Sequence, residues 1–469
     1  MKKLFLFVCF FSSMVIYGQN KDLNRKIEGS WSGKLRAQGI ELRLVINISA
    51  DKNDSLLVTI DSPDQGAKDL PCSKVRIGTD SILIESKRVA GSYLGRFNPE
   101  FTTLSGIWRQ SGLIFPLILQ KSRGKTSLNR PQEPLPPYPY DTLEVTFRNN
   151  KDKINLSGTI SLPKSGKIKA AVILITGSGP QNRDEALLGH KPFLVLADYL
   201  TRNGIAVLRY DDRGIGKSEG NFAIATSFDF ANDAESAFDF MKTRKEFDSC
   251  RLGLIGHSEG GLIAPIVASR REDVDFIVMM AGPGLTGEQI LLLQSALISK
   301  AAGEDEKTIK TSQKFSREIY SVLKKYPDNE IASGKIRTLI ADFDKKQIND
   351  TAYKPSSETE IKLQIQSMIS PWFRCFLTFN PLDYLTKLHC AVLAINGSLD
   401  LQVPPGENLQ AIEKAMIFGG NVNYHIEEVP GLNHLFQTAK TGAPTEYASI
   451  EETMSPVVLR IIADWITAQ

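Results

Sequence analysis

The chain has 469 residues, 42% hydrophobic and 23% charged, the composition of a folded protein too long for a single ordinary domain. A formal net charge of +3 leaves no basic excess with which to hold nucleic acid or an anionic surface.

Met1-Lys2-Lys3 followed by an apolar run from Leu4 to Tyr17, broken by Ser12-Ser13, predicts residues 1–19 to be a cleaved secretory signal. The run is shorter than the roughly 20 residues that a spanning helix needs, so no stable membrane anchor is expected and the mature chain should be periplasmic or extracellular. Cys9 sits inside the run, away from a cleavage point, which argues against a lipid-anchored cysteine. Cleavage takes two of the 56 basic residues, leaving 54 against 53 acidic ones. Cys72, Cys250, Cys375 and Cys390 remain, none in a CxxC pair; they read as a Cys375–Cys390 bridge or as isolated thiols.

Residues 20–122 show short alternating segments, such as Glu41-Leu42-Arg43-Leu44-Val45-Ile46 and Ser81-Ile82-Leu83-Ile84, separated by Gly, Asp, Asn and Pro. This spacing predicts an antiparallel barrel or sandwich. Residues 123–140 carry Pro131, Pro134, Pro136, Pro137 and Pro139, which excludes helix and predicts an extended linker. From residue 141 the grammar changes. Near-continuous apolar strands at 170–175, 205–210, 251–255, 276–280, 391–395 and 422–426 alternate with helices near 193–203 and 228–244, as in a mostly parallel sheet covered on both faces. Residues 285–380 interrupt this rhythm with amphipathic helical stretches and predict a cap inserted over the strand ends.

The strongest chemical signal is Gly256-His257-Ser258-Glu259-Gly260, which follows a strand and opens an apolar helix. Glycines two before and two after a serine allow the sharp strand-to-helix turn that lifts its hydroxyl above the sheet. A serine hydroxyl is a weak nucleophile without a base, and the chain has five histidines. With the partners of such a serine in the order Ser, Asp or Glu, His, His190 is excluded, His257 is the elbow's variable position, and His389 comes early. Of the two left, His425 lies within an alternating strand, whereas His434 follows Pro430-Gly431-Leu432-Asn433 on a loop and is preferred. Asp400, just past the strand at 391–396, suits the carboxylate that orients the imidazole. Backbone N–H groups of Glu259 and Ser178, with Gly179 as the alternative, suit an oxyanion hole. The acidic Glu259 side chain contacts either substrate or a helix start. Trp372 and Phe373 are candidates for an acyl pocket, with Phe376 nearby. The charged run from Arg209 to Lys217 lacks the spacing of a phosphate loop and reads as ion pairs supporting the site.

Five motifs together carry a resemblance: residues 177–185, Tyr210-Asp211-Asp212-Arg213-Gly214, Gly256-His257-Ser258-Glu259-Gly260, residues 396–403 and Gly431-Leu432-Asn433-His434-Leu435-Phe436. The sequence from 141 to 469 resembles a family of secreted bacterial α/β-hydrolase esterases, related to serine aminopeptidase-like and Xaa-Pro peptidase-like hydrolases. The N-terminal region, with Trp31-Ser32-Gly33 and Ile107-Trp108-Arg109-Gln110, is similar to β-domains fused in front of such hydrolases. The resemblance implies hydrolysis of short-chain acyl esters. The reading is acyl transfer through Ser258, His434 and Asp400 on a small-molecule ester, with no cofactor or metal. Its rivals are a serine peptidase whose cap holds a free amino terminus, and a ligand-binding protein on a hydrolase scaffold.

Overall fold

The computed structural model describes residues 21–37, 40–50, 56–63, 67–86, 91–110, 113–122, 129–164, 168–347, 355 and 357–469; the expected signal at 1–19 lies outside them. The chain divides between residues 127 and 128 into two units.

In the first unit, α1 (Lys21–Ile27) precedes nine strands: β1 (Gly29–Ala37), β2 (Ile40–Ala50), β3 (Leu56–Ser62), β4 (Ala67–Pro71), β5 (Lys74–Ile77), β6 (Ser81–Ser86), β7 (Gly91–Phe97), β8 (Thr103–Gln110) and β9 (Leu113–Ser122). Every pairing is antiparallel, in the order β4-β3-β2-β1-β9-β8-β7-β6-β5. The two end strands, β4 and β5, are separated in the chain only by Cys72 and Ser73. A sheet whose opposite edges are joined by two residues must curl until those edges meet. The corner does so: the Cys72 N–H donates to Val58 O on β3, and the Ser73 N–H to Glu85 O on β6. Of the two expected forms, barrel or sandwich, the sheet is thus a barrel. Alternation places Ile82, Ile84, Trp31, Tyr93 and Trp108 inside, all at most 1% exposed, so side chains fill the lumen. The Trp31 indole N–H donates to Ile27 O at 2.7 Å.

The second unit begins with residues 129–140, which form neither helix nor strand and lie along this unit. Arg130 donates to the carbonyls of Leu188, Ala448 and Ile450, and Gln132 bonds Thr453 and Met454. Eight strands follow: β10 (Asp141–Asn149), β11 (Ile154–Leu162), β12 (Ala170–Ile175), β13 (Ile205–Tyr210), β14 (Arg251–His257), β15 (Phe276–Met280), β16 (Ala391–Gly397) and β17 (Tyr424–Val429). Their order is β10-β11-β13-β12-β14-β15-β16-β17. Only β10 with β11 and β11 with β13 run antiparallel. Strands β12 and β15 are apolar throughout, and β13 and β14 nearly so, because both faces are covered. On one face lie α3 (Ser227–Lys242), α4 (Gly260–Ala268) and α11 (Pro405–Gly419); on the other lie α2 (Pro192–Arg202) and α12 (Pro456–Ala468). This is the α/β-hydrolase topology.

Between β15 and β16 the chain leaves the sheet for α5 (Gly287–Ala301), α6 (Glu306–Lys325), α7 (Asn329–Gln347), α8 (Glu358–Met368), α9 (Pro371–Thr378) and α10 (Leu382–Leu385). The first five form the cap, with a core of its own that includes Leu292, Ile319, Leu323, Ile336 and Leu377. None of the four described cysteines is joined in a disulfide; burial pushes the Cys390 thiol up to about 12. No helix among the described residues is long and apolar enough to cross a membrane.

Because Trp31 fills the barrel, Trp31→Ala should cost about 3–5 kcal/mol, read as an earlier denaturant midpoint for the first unit.

Candidate active site

Strand β14 lies fifth of eight in the sheet, and the chain turns from it into α4 within three residues. Ser258 sits at that turn with φ +52°, a left-handed conformation that costs a non-glycine residue about 1–3 kcal/mol. The turn closes only because its neighbours lack side chains. A Cβ on Gly256 would stand 1.9 Å from Gly260 O, and one on Gly260 would stand 2.1 Å from Ile175 O. Main-chain bonds fix the rest: the Ser258 N–H donates to Met280 O at 2.8 Å, and the Gly261 N–H to Ser258 O at 2.9 Å.

Strand β16 ends at Gly397, beside the loop after β17; a Cβ there would meet Leu432 O at 2.3 Å. Asp400 and His434, carried by these two loops, therefore meet. His434 Nδ1 lies 2.8 Å from Asp400 Oδ2, with both side chains buried. Asp400 Oδ1 accepts the N–H groups of Gln402 (2.8 Å) and Val403 (2.9 Å), so the carboxylate is held as an acceptor. The imidazole then donates from Nδ1, which leaves Nε2 as the basic nitrogen. Asn433 fixes this loop, its Oδ1 taking the N–H groups of Leu435 and Gln437 at 3.0 Å.

Ser258 and His434 line one cavity of about 240 Å³. Ser178 and Glu259, the expected oxyanion donors, line it too, while Gly179 faces a small neighbouring void. Trp372 and Phe376 form part of its apolar wall with Ile290 and Leu291. Phe373 does not line it: its ring packs 6.0 Å from Tyr320 in the cap core. Trp372 and Phe376 are four residues apart on α9 and stack at 5.2 Å, so they share a helix face from which Phe373 is rotated by about 100°.

The Glu259 side chain meets protein groups. Its Oε1 accepts the Ser227 hydroxyl at 2.6 Å and the Trp372 indole N–H at 2.8 Å. Burial raises its pKa, while bonds from Ser227, Trp372 and Ser178 oppose the rise. The charged run of the second motif forms ion pairs around the Ser178 loop. Arg183 grips Asp211 with Nε at 3.1 Å and Nη2 at 2.8 Å. Asp212 takes the Thr176 hydroxyl at 2.7 Å and the Gln181 N–H at 2.9 Å, and its burial holds its pKa well above the carboxylate range.

The remaining histidines lie elsewhere, with one exception. His389 and His425 are exposed. His190 is buried against Thr453 Oγ1 and Tyr447 O. The exception is His257, which shares the cavity wall with Glu185; neither was assigned a role from sequence. Among the described residues no group of three or more His, Cys, Asp or Glu side chains could hold a metal ion.

Two outcomes follow from this geometry. Gly260→Ala, forced against Ile175 O, should cost about 1–3 kcal/mol or more and abolish labelling of Ser258 by a fluorophosphonate. Burial, with the Arg130 guanidinium adding to it, pushes His190 down to about 4. The folded state therefore favours the neutral ring. This contribution is present above pH 6.5 and is lost as the pH falls through that value towards 4, because the unfolded chain takes up the proton first. His190→Gln should flatten that part of the melting-temperature profile.

Residues 191–350 match the family model described as Serine aminopeptidase, S33, a segment that holds the Ser258 elbow and most of the cap and ends before Asp400. Esterase EstD of Thermotoga maritima is 31% identical over 181 residues, which is 38% of this chain and 42% of that protein. The chain thus aligns with less than half the length of this relative. Among solved structures, an esterase of Pyrococcus furiosus is 17% identical, with 66% of this chain and 91% of that one covered at a TM-score of 0.39. Proline iminopeptidase of Mycobacterium smegmatis is 14% identical, with coverage of 70% and 98% and a TM-score of 0.42. By its strand order and its elbow the second unit has the α/β-hydrolase fold, and its residues 191–350 are similar to the serine aminopeptidase S33 family.

Proposed function

We propose that the protein is an exported serine carboxylesterase that cleaves short-chain acyl esters through Ser258, His434 and Asp400. The observation that carries this reading is the buried 2.8 Å pair of His434 and Asp400, opening on the same cavity as a serine in a left-handed elbow. In the proposed reaction His434 Nε2 takes the Ser258 proton as Oγ adds to the ester carbonyl. The oxyanion is held by backbone N–H groups of Glu259 and Ser178. His434 returns the proton to the departing alkoxide, then activates the water that releases the acid and regenerates Ser258. A cavity of about 240 Å³ with an apolar wall suits a short acyl group. Export rests on the Lys-Lys-apolar start of the chain.

A second reading, an aminopeptidase, draws support from Glu259, a carboxylate in the cavity wall whose side-chain partners are neutral donors. An ammonium group on the substrate would give that carboxylate a counter-charge.

Turnover of p-nitrophenyl acetate and butyrate, beside aminoacyl p-nitroanilides, separates the two readings; the esterase reading expects hydrolysis of the former only. Ser258→Ala should lose fluorophosphonate labelling and about 10⁴–10⁶-fold in kcat, and Asp400→Asn should lose about 10⁴-fold. Folded wild-type protein that neither labels nor turns over any of these substrates would sink the hydrolase reading.

A further inference from the structure

His257 takes no part in the reaction proposed above, yet it is buried in the wall of the cavity between two acceptors. Its Nδ1 lies 2.9 Å from Glu185 Oε1, and its Nε2 lies 3.0 Å from the main-chain oxygen of His434. A peptide oxygen can only accept, so Nε2 carries a proton. Glu185 Oε1 already accepts the Gly177 N–H at 2.7 Å, and as a carboxylate oxygen it accepts from Nδ1 as well. A ring that donates from both nitrogens is an imidazolium, and Glu185 supplies its counter-charge.

Burial by itself would lower the basicity of His257, but the Glu185 charge, its hydrogen bond, the His434 carbonyl and the Asp400 charge together outweigh burial and raise it. The groups facing the ring are Glu185 and Asp400, the His434 ring at 4.9 Å and the edge of Phe436 at 6.3 Å. Asp212 stands within electrostatic reach of Glu185. Glu185 itself adopts φ +50°, a backbone conformation that persists in a side-chain-bearing residue only where its surroundings hold it.

The pair also joins two parts of the site that are far apart in sequence. Glu185 holds the Gly177 N–H, next to Ser178, while His257 holds the main chain of His434. We propose that His257 and Glu185 are positioning residues: a buried, net-neutral imidazolium–carboxylate pair that sets the oxyanion loop against the catalytic histidine and tunes the pH at which that histidine works. This rests on the triad reading of Ser258, Asp400 and His434.

Charge arithmetic gives the pair a signature that a packing role lacks. His257→Gln can still donate to the His434 carbonyl but leaves Glu185 as an unbalanced anion beside His434, which favours the protonated base. Glu185→Gln/His257→Gln removes both charges and restores neutrality.

The experiment is the pH profile of kcat/KM on p-nitrophenyl butyrate for the wild-type protein, His257→Gln and the double variant, each checked for native circular dichroism. The expected result is an acidic limb moved up by about one pH unit in His257→Gln and returned to near the wild-type position in the double variant. In both, kcat falls about 10- to 100-fold and KM changes little. An unmoved limb in His257→Gln, or one that stays displaced in the double variant, would overturn the proposal. Should the variants not fold, or the wild-type protein not turn over esters, ring spectra of ¹⁵N-histidine-labelled wild-type protein at pH 7.5 decide the pair independently of the triad. One ring holding protons on both nitrogens supports it, and five singly protonated rings refute it.

Discussion

The site depends on how closely the start of α4 approaches the strands beneath it. Gly256 faces the backbone of Gly260, Gly260 lies on the carbonyls of Ile175 and Thr176, and a Cβ on Gly261 would stand 2.7 Å from the Cα of Gly282. With β12, β14 and β15 crowded in this way, the chain can leave β14 only through a turn that forces Ser258 into the left-handed region. Hydrophobic burial on both faces of the sheet supplies the energy that tolerates this strain, since β12, β15 and the inner part of α4 have almost no exposed surface.

Around that turn the protein concentrates carboxylates in a place with little water. Asp400 and Glu185 each meet an imidazole, Asp212 a hydroxyl and a backbone N–H, and Glu259 a hydroxyl and an indole. Burial penalises each charge, and the donors around it offset that penalty only if their geometry is kept. The loops bearing the functional side chains are thus tied together by polar groups that cannot easily be left unpaired. This explains why irregular segments can hold a reactive arrangement.

Much of this was legible in the sequence because it is local. The elbow is five residues long, and the parallel strands β12 to β16 announce themselves as apolar runs. The hairpin β10–β11 was not, since β10 sits at the sheet's edge and buries only Phe147 and Asn149. Strand β17 begins at Tyr424, two residues after the apolar pattern does, because Val422 is 92% exposed. Apolar character alone does not tell a surface valine from a strand residue. Phe373 lies off the cavity wall because helix phase, which residue type does not reveal, sets it apart from Trp372 and Phe376. The pairing of His257 with Glu185 spans 72 positions and leaves no local pattern; only the fold brings the two together.

The bond between Glu259 and Trp372 has a practical consequence. Of the four tryptophans, Trp31 and Trp108 are sealed inside the barrel and Trp465 packs edge-on against Phe276, while Trp372 alone borders the cavity that holds Ser258 and His434. Its indole N–H is anchored to the carboxylate of Glu259, next to Ser258, so a change of charge on that carboxylate, or a lift of the cap, alters the electric field and the polarity that the indole senses. The protein therefore carries its own optical probe at the junction of the cap and the sheet beneath it, and its emission can be followed without attaching a dye.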